Sequence, residues 1–251
     1  MLKTMGIDPE KAILEIWLGG NLPGFSGIGA SAASSVAIAR AIAEEFKMDL
    51  SDEKINEIAF EAEKAYAGTP SGIDNTAATY GGLIWFQRNL SGGLNTIEKL
   101  SIREPVEIII GNTGIVADTK EMVAGVAARK KRNLGEYNLL FKQAEDLAFA
   151  TREALEEFDL RKVGKSMNEN HLLLKEIEVS CKELDYLVNL AREQGAFGAK
   201  LTGGGGGGCM VALTPGKELQ EAVAAAMEKE GFKVLRTKIG IHKYKGKNEP
   251  T

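Results

Sequence analysis

Six consecutive glycines, Gly203 to Gly208, are the feature that most limits what this chain can fold into. Glycine has no side chain to pack and loses more backbone freedom on ordering than any other residue. Such a run is therefore neither helix nor strand interior. Strand-like segments flank it on both sides, yet a simple hairpin needs only two suitable turn residues. The surplus of permissive backbone indicates close approach of something else, a phosphate or a facing loop. Glycine is enriched throughout, at 29 of 251 residues, against an average of ~7%. It falls in clusters and follows no Gly-X-Y period, which excludes a collagen-like chain.

The bulk composition closes several other doors. Apolar residues make up 44% and charged residues 26%, the proportions of a globular protein long enough for one large domain or two small ones. A net charge of −4 gives no electrostatic case for nucleic acid as a partner. Cys181 and Cys209 form no CxxC pair, which fits a reducing cytoplasm. His171 and His242 are too few and too isolated for a zinc site, and neither has a visible partner. The apolar stretch Val36–Ala43 is broken by Arg40, well short of the ~20 residues of a membrane span. The opening MLKTMGIDPEK lacks the apolar stretch of a signal peptide. A cytoplasmic protein without membrane or nucleic-acid partners is expected.

Leu14–Leu18 (LEIWL) reads as a strand closed by Gly19-Gly20, followed by a Gly/Ser/Ala loop over 23–34 and an Ala-rich helix over 36–46. A second helix opens at Ser51, a good N-cap, with its apolar stripe at Ile55, Ile58, Ala59, Ala62 and Tyr66. Gly68-Thr69-Pro70 stops it. A loop carries the chain past Asn75 to a Gly81-Gly82 turn and a strand over 83–86. Composition turns polar over 90–104, which places a boundary between domains 1–100 and 101–251. Beyond it come a strand at 106–110, helices near 118–132, 136–157, 161–176 and 183–194, and then strand, glycine run, strand (210–213), helix (219–229) and strand (233–238). Strands and helices mix without regular alternation, so the expected class is α+β.

Three loops hold residues suited to chemistry. In PGFSGIGASAA, residues 23–33, glycines bring backbone N–H groups close to a phosphate, and the following helix N-terminus adds unpaired donors and a favourable dipole. Ser31, in the first turn, suits a metal ion riding on the phosphates. The loop is neither a Walker A sequence nor a GxGxxG fingerprint, and equally reads as a Gly/Ser turn before a buried helix. In GTPSGIDN, residues 68–75, Asp74 suits either an Asx-type turn or a functional carboxylate. Glu63 lies ~40° past Ala59 at the margin of the apolar stripe. There it suits holding a cation in a cleft, or a snorkelling surface position. The third loop is KLTGGGGGGC, residues 200–209. Arg129–Arg132 reads as the solvated end of a helix, Cys209 as a packed residue and Pro215-Gly216-Lys217 as a turn.

Taken together, in this order and spacing, the three loops resemble those of the GHMP small-molecule kinases, in particular the branch that phosphorylates mevalonate. PGFSGIGASAA is similar to the family phosphate loop P-x-x-x-G-[LI]-G-S-S-A-A, GTPSGIDNTAATYGG to its acidic loop, and GAFGAKLTGGGGGGCMVAL to its glycine-rich third motif. VSCKELD upstream fits the same group, and the resemblance spans roughly residues 12 to 240. It implies a two-domain fold, with a ribosomal protein S5 domain 2-like first domain and a ferredoxin-like second. The implied reaction is transfer of the γ-phosphoryl group of ATP to the primary hydroxyl of mevalonate, with Mg²⁺ as cofactor.

The implied roles follow position by position. Gly27, Ile28, Gly29, Ala30, Ser31 and Ala32 would cradle the phosphates. Ser31 and Glu63 would hold the metal, and Asp74 would orient the substrate hydroxyl and accept its proton. Thr202 and Gly203, Gly204 and Gly205 would close over the reacting groups, with Thr119 of a DTK segment near the transferred phosphate. Ala30 stands where the family often has Ser, and Ala67 where it often has His. Family members open with strands bearing a Pro-Gly-Lys…Gly-Glu-His motif, and against that pattern this chain is expected to lack an opening segment. Another GHMP kinase substrate, or an inactive nucleotide-binding protein of the same fold, stays open. So does a homodimer.

Overall fold

The computed structural model describes residues 1–20, 27–67, 70–93 and 95–240. Pro23–Ser26 of the phosphate loop, Gly68 and Thr69 of the acidic loop, and His242 lie outside the described residues. Two compact units divide the chain. The first holds residues 1–24 and 29–99, the second residues 25–28 and 100–241.

The first unit is a helical cluster with a two-stranded sheet. It contains α1 (Ala30–Glu45), α2 (Asp52–Ala67), α3 (Ile73–Tyr80), β1 (Leu83–Gln87) and β2 (Thr96–Leu100), with a short 3-10 turn at Lys3–Met5. The apolar spacing of α1 and α2 makes its core, where Val36, Ala39, Ile42, Ile55, Ile58 and Ala59 bury together with Met5. Arg40 ties the three helices through the Asp52 carboxylate (2.7 Å) and the Thr79 carbonyl (3.2 Å).

Four expectations are corrected in this unit. Leu14–Leu18 is not a strand: no described segment pairs with it, and Trp17 is 86% exposed. The helix expected from Val36 begins at Ala30, because the Ala/Ser stretch after Gly29 is already helical. Asp74 lies not in a loop but in the first turn of α3. The polar residues 96–100, read only as boundary, form β2.

The second unit is built on a four-stranded antiparallel sheet, comprising β3 (Val106–Asn112), β4 (Gly198–Leu201), β5 (Cys209–Leu213) and β6 (Lys233–Ile239), in the order β4-β5-β3-β6. Its helices are α4 (Thr119–Arg132), α5 (Leu134–Glu157), α6 (Leu160–Glu176), α7 (Lys182–Glu193) and α8 (Lys217–Lys229). Ala199, Leu201, Met210, Ala212 and Ile109 alternate onto one face of the sheet. There they meet Leu184, Leu187 and Val188 of α7 and Val223, Ala224 and Met227 of α8. The period-two and period-3.6 patterns thus bury against each other, and the mixed α+β class holds for both units. No described helix is long and apolar enough to cross a membrane.

Candidate active site

In the first unit the site is built around the start of α1. Gly29 precedes the helix in the left-handed conformation (φ 71°), and no side chain among the described residues caps it. The first intrahelical bond runs from the Ala33 N–H to the Gly29 carbonyl. The N–H groups of Ala30, Ser31 and Ala32 are therefore left without helical acceptors, the arrangement that receives an anion.

Two carboxylates flank this helix end. Glu63 on α2 is 5% exposed, and its two oxygens accept from the Ser31 hydroxyl (3.1 Å) and the Ser35 hydroxyl (3.2 Å). A buried carboxylate needs such partners. Motif and helical angle mark Ser31 and Glu63 but not Ser35, whose i+4 spacing from Ser31 puts both hydroxyls on one helical face. Hydroxyl and carboxylate oxygens are hard donors of the kind Mg²⁺ takes, so the pair fits that ion. Among the described residues there is no cluster of three or more His, Cys, Asp or Glu.

Asp74 is the second carboxylate. A side chain built on Gly29 would lie 3.7 Å from Asp74 Oδ1, so the carboxylate stands directly beside the helix start. Its neighbours on α3 fix that position. Asn75 donates to the Asn56 side-chain oxygen (2.6 Å), Asn56 donates to Thr76 Oγ1 (3.3 Å), and the Thr76 hydroxyl donates to the Gly72 carbonyl (2.6 Å). Asn56 was not anticipated; only its place on the α2 face toward α3 marks it. The Asp74 side chain remains open to solvent, yet desolvation by the surrounding atoms pushes its carboxyl above the usual aspartate value.

In the second unit, Gly27 meets the glycine run. A Cβ on Gly203 would lie 2.6 Å from the Gly27 Cα, and the Thr202 hydroxyl reaches the Gly27 carbonyl at 3.5 Å. Gly204 packs on the Thr119 side chain, at the start of α4, where Asp118 caps the Lys120 N–H (2.8 Å). Ile28 is half-buried beside Gly27. The later glycines serve packing. A Cβ on Gly205 would overlap the Val179 carbonyl, and one on Gly207 would collide with Ile115. Gly206 and Gly208 donate to the Val179 and Ile115 carbonyls (2.9 and 2.7 Å). The run thus divides by what it packs on, Gly203 and Gly204 against Gly27 and Thr119, and Gly205 to Gly208 against the segments around Val179 and Ile115.

Two further expectations change. His171 does have partners, on Asp185 and the Leu201 N–H. Arg129 is no solvated helix end, because it donates to the Tyr137 hydroxyl (3.1 Å) and the Ile177 carbonyl (2.9 Å). Cys209 is fully buried, and burial pushes its thiol up to about 11, which fits the packed reading.

Known proteins resemble this chain in sequence and in fold. The sequence profile of the GHMP kinases N terminal domain matches residues 1–82, and that of the GHMP kinases C terminal matches residues 151–233. A mevalonate kinase of Pyrococcus furiosus is 34% identical over 239 residues, covering 92% of this chain and 68% of that protein. The solved structure of L. major mevalonate kinase in complex with R-mevalonate superposes with a TM-score of 0.81 at 38% identity, covering 86% of this chain and 67% of that one. The chain belongs to the GHMP kinase family. Within it, the proteins it resembles at about one residue in three are mevalonate kinases. It spans 64% of the length of one of them, that of Thermococcus sibiricus, which is 35% identical.

Proposed function

We propose that this chain phosphorylates mevalonate, moving the γ-phosphoryl group of ATP to its primary hydroxyl. The observation that carries the reading is the start of α1, where three N–H groups without helical acceptors, Ser31 with Glu63, and Asp74 converge on one helix end. Phosphoryl transfer needs positioning and charge neutralisation more than covalent chemistry from the protein, and these residues supply both. The N–H groups of Ala30 to Ala32 bind phosphate oxygens, aided by the helix dipole.

Ser31 and Glu63 would hold Mg²⁺, which when bound neutralises phosphate charge. Asp74 orients the substrate hydroxyl and accepts its proton, and its raised pKa makes it a stronger base than an ordinary aspartate. In the second unit, Gly203 and Gly204, with Thr202 and Thr119, would offer backbone N–H groups and hydroxyls to the transferred group. The similarity to the L. major enzyme solved with R-mevalonate supports the choice of substrate. The division of labour between domains 1–100 and 101–251 follows the same reading.

A coupled assay of ADP release with mevalonate, phosphomevalonate and galactose tests the proposal. Turnover is expected with mevalonate, and its absence with all three would overturn the enzyme reading. Asp74→Asn is expected to lower kcat by about 10²–10⁴ while calorimetric ATP affinity stays within a few-fold. Retained turnover would remove Asp74 from its role.

A further inference from the structure

Among the described residues the sheet of the second unit ends at β4, whose outer edge faces α6. An edge strand leaves alternate N–H groups without a ladder partner. Here two side chains of α6, one turn apart, take them. The Ala199 N–H donates to Asn168 Oδ1 (3.0 Å) and the Leu201 N–H to His171 Nδ1 (3.4 Å). Helix and strand come close enough for this because Gly164 and Gly198 meet backbone to backbone, where a Cβ on either would overlap the other segment.

His171 is 3% exposed, and its far nitrogen completes a chain of contacts. Nε2 lies 3.2 Å from Asp185 Oδ1. That carboxylate also accepts from the Ser180 hydroxyl (2.6 Å) and pairs with Lys175 (2.8 Å). An imidazole that accepts at Nδ1 and faces a carboxylate at Nε2 carries its proton on Nε2. Charges facing it are Asp185 from α7, Lys175 from its own helix and Lys200 from β4; burial outweighs the carboxylate and lowers its pKa. The ring is therefore neutral, as the Leu201 N–H requires.

Leu201 is the last residue of β4, and Thr202 and Gly203 follow it directly. We infer that His171, fixed in one tautomer by Asp185, is a positioning residue that sets where Thr202 and Gly203 stand at the mouth of the glycine run. The inference rests on the phosphate-binding reading of that loop only for its effect on catalysis, not for the contact itself.

Two variants separate the ring's two nitrogens. His171→Asn keeps an acceptor near the Nδ1 position and gives up Asp185, whereas His171→Gln reaches toward Asp185 and gives up the Leu201 N–H. Amide hydrogen exchange over residues 201–204 is read without nucleotide, and KM for ATP and kcat are read in the mevalonate assay. His171→Gln is expected to speed exchange and raise KM for ATP by about tenfold, with kcat less affected. His171→Asn is expected to stay within about threefold of the parent on both. Equal behaviour of the two variants overturns the inference. Since exchange needs no turnover, a split there with no kinase activity leaves the positioning intact and fells only the enzyme reading. In the unmodified protein, nitrogen NMR should find the Nε2–H tautomer at neutral pH; an Nδ1–H or charged ring would equally overturn it.

Discussion

Asp74 shows how much a single residue's environment decides. Its pKa is raised by desolvation, so its base form is lost earlier on acidification than that of an ordinary aspartate. The acid limb of kcat/KM for mevalonate is therefore expected above pH 3.8, Asp74's unperturbed value. A limb at or below that value, with the fold intact by circular dichroism, would contradict the assignment. The motif pointed to Asp74 and the helical angle pointed to Glu63, because type and spacing carry that much. His171 was opaque for the opposite reason: its acceptor role depends on a strand edge 30 residues away, and nothing local announces such an edge. Asn56 and Ser35 were missed likewise, as second partners whose value exists only once α1, α2 and α3 pack.

At the scale of elements, periodicity served well wherever an element buries one face against a neighbour. The helices α4 to α8 and the strands β3, β5 and β6 all stand within a few residues of their expected places. It failed at Leu14–Leu18, where alternation suggests a strand but no described partner completes it, and at β2, whose polar residues carry no stripe. The α6–β4 contact was equally hidden, since Gly164 looks like an ordinary helix interruption. Its reason is the carbonyl of Phe197, which a Cβ at position 164 would overlap. Gly164→Ala removes the entropic cost of a helical glycine, yet it is expected to destabilise the protein by about 3 kcal/mol. Urea denaturation measures this, and a neutral or stabilised variant would show that the helix can retreat from the edge at little cost.

Among the described residues of the whole molecule, two buried clusters share no member, one around Ile58 and the other around Leu187. Truncating either to alanine is expected to cost about 2–5 kcal/mol. Hydrogen exchange should localise the loss: Ile58→Ala lowers protection in α1 and α2 and spares the four-stranded sheet, and Leu187→Ala does the reverse. Loss across both units from either change would mean that they open as one cooperative body. The fold class was legible at this scale because both cores follow simple burial patterns, while the pairing order of the sheet was not, as register is set by partners far apart in the chain.

The divided glycine run has a genetic consequence. At Gly205 and Gly207 any side chain meets backbone or a packed neighbour, and at Gly203 it meets Gly27. Glycine codons begin with two fixed bases, and a change in either introduces a side chain or a stop. This stretch of gene therefore has almost no neutral neighbours apart from third-base substitutions, and sequence drift should bypass it while the surrounding helices diverge.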